Sequence, residues 1–212
     1  MCAVNTNAGI APAHHPAMAK LEVGDMVFIR VMARPFVEVA RATNAWTNHV
    51  GIVVGYDGDG PLIAESTFPF ARTGPLKRFL GRSEQGRCAV ARLAAPLSEP
   101  QREALKRAAV QRMGTLYDTG FNLGSRRQFC SRFVREVIRD ATGILPGEVE
   151  TFSMLLSRNP EPRLGFWRLW FFGRIPWERW TVTPVSVLRS PHLRIVFDGF
   201  TGRHASPASG RP

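Results

Sequence analysis

The segment Asn48-His49-Val50-Gly51-Ile52-Val53-Val54 restricts the fold of this chain more than any other stretch. Its β-branched residues are stiff at χ1 and fit a pleated sheet better than a helix. It runs into Tyr56-Asp57-Gly58-Asp59-Gly60, where Gly and Asp favour a turn, and then into the apolar stretch Pro61–Ser66. The pattern predicts a β-hairpin with strands at His49–Gly55 and Pro61–Ser66.

If the turn centres on Asp57, His49 and Glu65 are direct cross-strand partners, with side chains on one face and within contact distance. Glu65 then accepts a hydrogen bond from the imidazole, which fixes its tautomer and stabilises the imidazolium. A register shifted by one residue sends Glu65 to the opposite face. A five-residue turn is compatible with either.

A chain of 212 residues suits a single domain with a substantial core. Residues 1–20 and 201–212 are aperiodic and rich in small, polar and proline residues, so both ends are expected to be disordered around a domain at 21–200. Leu21–Asp25 reads as a turn into a strand at Met26–Val31, and Arg87–Leu93 as another strand with Cys88 in the core. Ser98 and Gln101 form a capping box, with Pro100 in the first turn of a helix. Its apolar face is Ala104, Leu105, Ala108, Ala109 and Met113, and Gly114 is its expected end. A second helix starts near Cys130, with Phe133, Val134, Val137, Ile138 and Ala141 at helical spacing and Gly143 as C-cap. A short helix is expected at Glu148–Leu156, then an aromatic stretch at Leu164–Trp180. The chain closes with Thr183–Val187 and a strand at Leu193–Phe197. Hairpin strands with segregated helices indicate an α+β fold.

A cysteine at a helix start has a lowered pKa, because unpaired backbone N–H groups and the helix dipole favour the thiolate. Arg126, Arg127 and Arg132 act in the same direction at Cys130. The same N–H groups can hold an oxyanion. Of the five histidines, His14, His15 and His204 fall in the expected disorder, and His192 reads as a surface residue. His49 is left as the base. Singly, each residue has an ordinary reading, since cysteines are commonly buried and inert. Together they point to a thiol nucleophile with its base.

Several segments recur in a recognisable order: Gly24-Asp25-Met26-Val27-Phe28, Asn48-His49-Val50-Gly51-Ile52, Ala64-Glu65-Ser66, Tyr117-Asp118, Phe129-Cys130-Ser131 with Phe133-Val134, and Thr183-Pro184 with Leu188-Arg189-Ser190-Pro191. In this order they resemble the permuted NlpC-type papain-like cysteine hydrolases, the YiiX/YebB-like group, which is distantly similar to lecithin–retinol acyltransferase. The resemblance spans about residues 21–197. It implies a circularly permuted papain-like fold, with a small antiparallel β-sheet or barrel against a helical lobe that carries the nucleophile. By motif position it implies Cys130 as nucleophile, His49 as base, Glu65 as the orienting third residue and Tyr117 near the substrate cleft. Arg132 departs from the group, where an acidic residue commonly follows the Cys-Ser pair, and is expected to change the charge offered to substrate.

The expected activity is hydrolysis or acyl transfer at an amide or ester, through a thioester, on a peptide or lipid-derived substrate. No cofactor or metal is implied, since Cys2, Cys88 and Cys130 are too irregularly spaced for a zinc knuckle or disulfide framework. The absence of a leader-like start or an apolar run of about 18 residues leads to an expected cytoplasmic location. Lys and Arg number 28 against 17 Asp and Glu, a net charge of +11 that favours anionic partners. The arginines are dispersed without a nucleic-acid-binding motif, so nucleic acid is not the expected partner. Trp167, Trp170, Trp177 and Trp180, interleaved with arginine at 164–180, suit a peripheral membrane contact or an acyl pocket, as a lid or insertion near the cleft, and equally suit a loop that covers the core. The alternative function is a non-catalytic lipid- or anionic-surface-binding module on the same fold.

Overall fold

The structure, a computed structural model, describes residues 20–159 and 164–201. Apart from Lys20 and Thr201, the segments expected to be disordered lie outside the described residues, as do Cys2, His14, His15 and His204. In chain order the elements are β1 Met26–Val31, α1 Arg34–Ala42, β2 His49–Asp57, β3 Gly60–Glu65, β4 Arg72–Pro75, α2 Leu76–Leu80, β5 Ser83–Leu93 and α3 Glu99–Val110. They continue with α4 Cys130–Thr142, β6 Val149–Thr151, α5 Phe152–Ser157, α6 Leu164–Trp170, β7 Trp180–Val182, α7 Pro184–Leu188 and β8 Leu193–Phe200.

Six strands form one antiparallel sheet in the order β4-β3-β2-β1-β5-β8, while β6 and β7 pair separately. Both faces of the sheet are buried, as the near-continuous apolar runs require. Met26, Phe28, Val50 and Ile52 pack with Leu105 of α3 and with Phe133, Val134, Val137 and Ile138 of α4. Val27, Ile29, Val53, Ile63, Cys88 and Val90 face the other way, onto Leu76 and Phe79 of α2 and onto Phe197. Ile63 and Phe197 share this cluster from strands four places apart, so the sheet curls toward a half-barrel.

The hairpin has a tighter turn than its sequence implies. Asp57 pairs with Gly60 around Gly58–Asp59, a register that by itself would put His49 and Glu65 on opposite faces. A bulge at Val54 inserts one residue into β2, and beyond it Ile52 pairs with Ala64. That shift restores the parity. His49 and Glu65 therefore share a face as diagonal neighbours rather than direct partners, with Gly51 between them. A Cβ on Gly51 would approach Ile63 Cγ2 to 2.5 Å and Phe79 Cε2 to 2.9 Å, so the close packing behind the pair needs glycine.

The capping box at Ser98 and the left-handed C-cap at Gly143 (φ 79°) are as the sequence predicts, although α3 stops at Val110, ahead of Gly114. The expected helix at Glu148–Leu156 is divided. Val149–Thr151 is captured as a strand by Trp180–Val182, and Thr151 then caps α5 by accepting from the Met154 N–H. No helix among the described residues is long and apolar enough to cross a membrane.

Candidate active site

Cys130 is the first residue of α4, after Phe129 in extended conformation. The first α4 bond of this turn runs from the Phe133 N–H to the Phe129 carbonyl, so the Cys130, Ser131 and Arg132 N–H groups have no partner within the helix. The approach to α4 is pinned on both sides: the Gln128 N–H donates to the Leu116 carbonyl, the Asp118 N–H to the Gln128 carbonyl, and Ser66 Oγ to the Gln128 carbonyl. These bonds place Tyr117 beside the sulfur. Asp118, the other half of that motif, folds the following loop by accepting from the Gly120 and Asn122 N–H groups. Ser131 Oγ donates to the Val182 carbonyl at 2.8 Å and ties the lobe of α5, β6 and β7 to the nucleophile helix.

His49 and Cys130 are both buried, and each imidazole nitrogen has a distinct neighbour. Nε2 lies 2.6 Å from Glu65 Oε2, while Nδ1 has no fully formed hydrogen bond and Cys130 lies within electrostatic range of the ring. Burial alone would keep His49 neutral, but the charges and hydrogen bonds of Cys130 and Glu65 raise its pKa from 6.5 to about 9. Burial likewise opposes ionisation of Cys130, and His49 together with the Val50 and Ser131 N–H groups overcomes it and lowers the thiol's pKa. The β2–β3 ladder ends at Ile52–Ala64, two residues short of Val50, which leaves the Val50 N–H to the sulfur. The two shifts run in opposite directions, the thiol's down and the imidazole's up, and both favour the thiolate–imidazolium form of the pair. Cys88 is the contrast, since burial pushes its thiol up to about 12.

Two arginines that carry no local signal in the sequence complete the site. Arg82 Nη2 donates to Glu65 Oε2 at 2.6 Å, and Arg72 Nε lies 3.6 Å from Oε1. Burial would raise the Glu65 pKa, but His49 and Arg82 outweigh it and bring it to about 2. Phe79 stacks on the imidazole at 5.6 Å, and Arg82 lies over the same Phe79 ring. Phe36 meets His49 edge-on at 5.5 Å. Arg72 faces Glu65 across β3 and β4, so it becomes legible once β4 is known. Arg82 has no spacing relation to Cys130, His49 or Glu65.

Tyr117 is buried, and its hydroxyl has no hydrogen bond of full geometry. Burial and the neighbouring Cys130 hold its pKa well above 10, so it is a neutral donor facing the sulfur. Arg132 does not act on the cleft as expected. It bonds Glu136 at 2.8 Å and the carbonyls of Ser125 and Arg127, so its charge is spent on fastening that loop to α4.

A narrow cleft with a cavity volume of about 40 Å³ runs from Cys130 and Tyr117 past Val39, Phe121, Phe152, Leu156 and Trp167. Its lining is almost wholly apolar. Trp167 is buried in this wall, against the expectation that it meets a membrane, and Trp170 donates to the Thr119 carbonyl at 2.9 Å. Trp177 and Trp180 are partly exposed. Within the aromatic segment, Trp167 is the residue that lines the cleft.

A model of the permuted papain-like amidases, the YaeF/YiiX or C92 family, matches residues 20–197. The uncharacterized protein YiiX of Escherichia coli K12 is 28% identical over 182 residues, covering 85% of this chain and 89% of the relative. A crystal structure described as the metalloprotein YiiX of Escherichia coli O157:H7 matches with a TM-score of 0.75 at 25% identity, over 84% of this chain and 98% of that one. Among the described residues here, no three His, Cys, Asp or Glu side chains are grouped to hold a metal ion, and His49 Nε2 is engaged by Glu65. The described residues do not fit a metal centre. With the fold shared and the family model covering nearly all of the globular part, this chain belongs to the permuted papain-like amidase family.

Proposed function

We propose that the protein is a cysteine hydrolase that cleaves an amide or ester with an apolar acyl group, through a thioester on Cys130. Membership of an amidase family supports hydrolase activity in general. The observation that carries the finer reading is the buried Cys130–His49 pair, with Glu65 on the far imidazole nitrogen and an apolar cleft at the sulfur. The Cys130 thiolate attacks the carbonyl carbon. The Cys130 N–H, without a partner in the helix, and the unpaired Tyr117 hydroxyl are the donors offered to the oxyanion that forms. Because Nε2 is held by Glu65, Nδ1 carries the mobile proton and gives it to the leaving amine or alkoxide. Water then enters and loses a proton to Nδ1. Its attack on the thioester expels the thiolate and releases the acid.

The test is the rate of Cys130 alkylation by iodoacetamide against pH, read by peptide mass spectrometry. Since the Cys130 pKa is lowered, alkylation is expected to stay fast below the ordinary thiol range, with Cys88 unlabelled. His49→Ala removes the main group opposing burial, so the pKa rises and neutral-pH labelling falls. A Cys130 as inert as Cys88 would sink the reading and favour a binding module.

Tyr117→Phe separates donor from packing. Loss of an oxyanion donor is expected to lower kcat by about 10²-fold. Thermal stability should hold, because the hydroxyl leaves no broken bond behind. An unchanged kcat on an activated ester would reduce Tyr117 to a wall residue.

A further inference from the structure

The short helix α6 has two sides. Leu164, Trp167 and Phe171 face inward: Trp167 stacks on Phe171 at 6.0 Å and meets Phe152 edge-on in the cleft wall. Arg168, Leu169 and, one turn on, Phe172 face outward. Leu169 is 81% exposed and Phe172 98% exposed. Phe172 also sits at φ 51°, in the left-handed region that a bulky side chain adopts only at a cost. The chain thus accepts both strain and full exposure to present an aromatic ring.

The tip is held firmly. Trp170 is bonded to Thr119, Arg179 donates to the Gly120 carbonyl at 2.9 Å and lies over the Phe171 ring, and the Gly173 N–H donates to the Arg168 carbonyl. Its surroundings are cationic. Residues 164–180 hold Arg168, Arg174 and Arg179 against one acid, Glu178, and Arg34 lies over the Phe166 ring at 5.8 Å. An anchored apolar tip flanked by Arg168 and Arg174 on a chain of net charge +11 matches one surface in particular: an anionic bilayer, where Leu169 and Phe172 enter the acyl boundary and the guanidinium groups meet headgroup phosphates.

We propose that Leu169 and Phe172, flanked by Arg168 and Arg174, dock the protein onto anionic lipid membranes. The docking side chains are thereby separated from the cleft wall by the width of one helix. This surface is independent of the catalytic proposal, because none of the four residues lines the cleft.

The test is co-sedimentation of the full chain with vesicles of equal parts phosphatidylcholine and phosphatidylglycerol, against phosphatidylcholine alone. The wild type is expected to bind the anionic vesicles preferentially, and less as salt rises. The pair Leu169→Ser with Phe172→Asn is expected to weaken binding about ten-fold or more. Asn tolerates the left-handed backbone, so the melting temperature should hold or rise, which a structural role for Phe172 would not allow. Arg168→Gln with Arg174→Gln should flatten the salt dependence. Hydrolysis of p-nitrophenyl acetate in solution should be unchanged in both. Failure of the wild type to bind anionic vesicles, or equal binding by the Leu169/Phe172 variant, overturns the proposal. So does a concentration-dependent dimer that the same pair of substitutions abolishes without any vesicle binding.

Discussion

Cys130→Ala is expected to abolish turnover of p-nitrophenyl octanoate, a loss of about 10⁴-fold or more, while the protein stays folded. The sulfur carries the nucleophilic electron pair, and no other described cysteine can replace it: Cys88 is buried on the far face of the sheet with a thiol pushed up to about 12. Alanine removes little volume at a residue already beside an open cleft, so packing loss is small. It also removes the first of the charges that keep His49 ionised, so the imidazole pKa should fall from about 9. Histidine chemical shifts against pH would report that fall in the folded variant. The wild type, mixed with the activated ester and quenched in acid, should show one added acyl mass on the peptide bearing Cys130. Turnover that persists in Cys130→Ala would end the thioester mechanism. With the acetate, octanoate and laurate esters in parallel, the apolar cleft predicts a rise in kcat/KM as the chain lengthens from acetate.

The parts of this molecule legible in the sequence are those written in local chemistry. Helix α4 announced itself through Cys130, Phe133, Val134, Val137 and Ile138 at helical spacing and Gly143 at its end. The strands β1 and β2 did so through β-branched runs. The pairing of His49 with Glu65 followed from the hairpin, but for the wrong register. Turn and bulge each displace the ladder by an odd step, and only their combination returns Glu65 to the correct face. A bulge leaves no mark in side-chain type. Helix α1 was missed because Phe36, Val37 and Val39 are poor helix formers and no side chain caps its start. Packing of Phe36 on His49 and Tyr117 holds it instead. The strand at Val149–Thr151 depends on a partner 29 to 33 residues further along the chain, since Val149 pairs with Val182 and Thr151 with Trp180. Arg82 reaches Glu65 only through the path of α2. Such contacts arise from tertiary geometry, which no local pattern encodes.

Glu65 is where fold and chemistry are most tightly joined, and its replacement should show both. Glu65→Ala leaves the His49 imidazolium and the Arg82 guanidinium facing a site with no carboxylate. Removing one partner of a buried charge cluster typically costs about 3–5 kcal/mol. Arg82 retains 27% side-chain exposure and can turn toward water, which places the expected loss near the lower end, about 3 kcal/mol. Linkage gives the same sign. Glu65 falls from 4.5 to about 2 on folding, so its contribution is full above 4.5 and disappears as pH drops through 2. Acid titration of wild-type stability should show that step, and Glu65→Gln should lack it. Glutamine keeps the shape but removes the charge, so the variant isolates electrostatics from packing. His49 then loses one of the two groups that hold its pKa near 9, and the alkaline limit of Cys130 thiolate–imidazolium chemistry should move down. Turnover is expected to fall about 10²-fold or more, because the imidazole loses both its orientation and its charge support. If Glu65→Gln kept the alkaline limit and the acid stability step of the wild type, the carboxylate would be a bystander. The ionised pair would then rest on Cys130 and His49 alone.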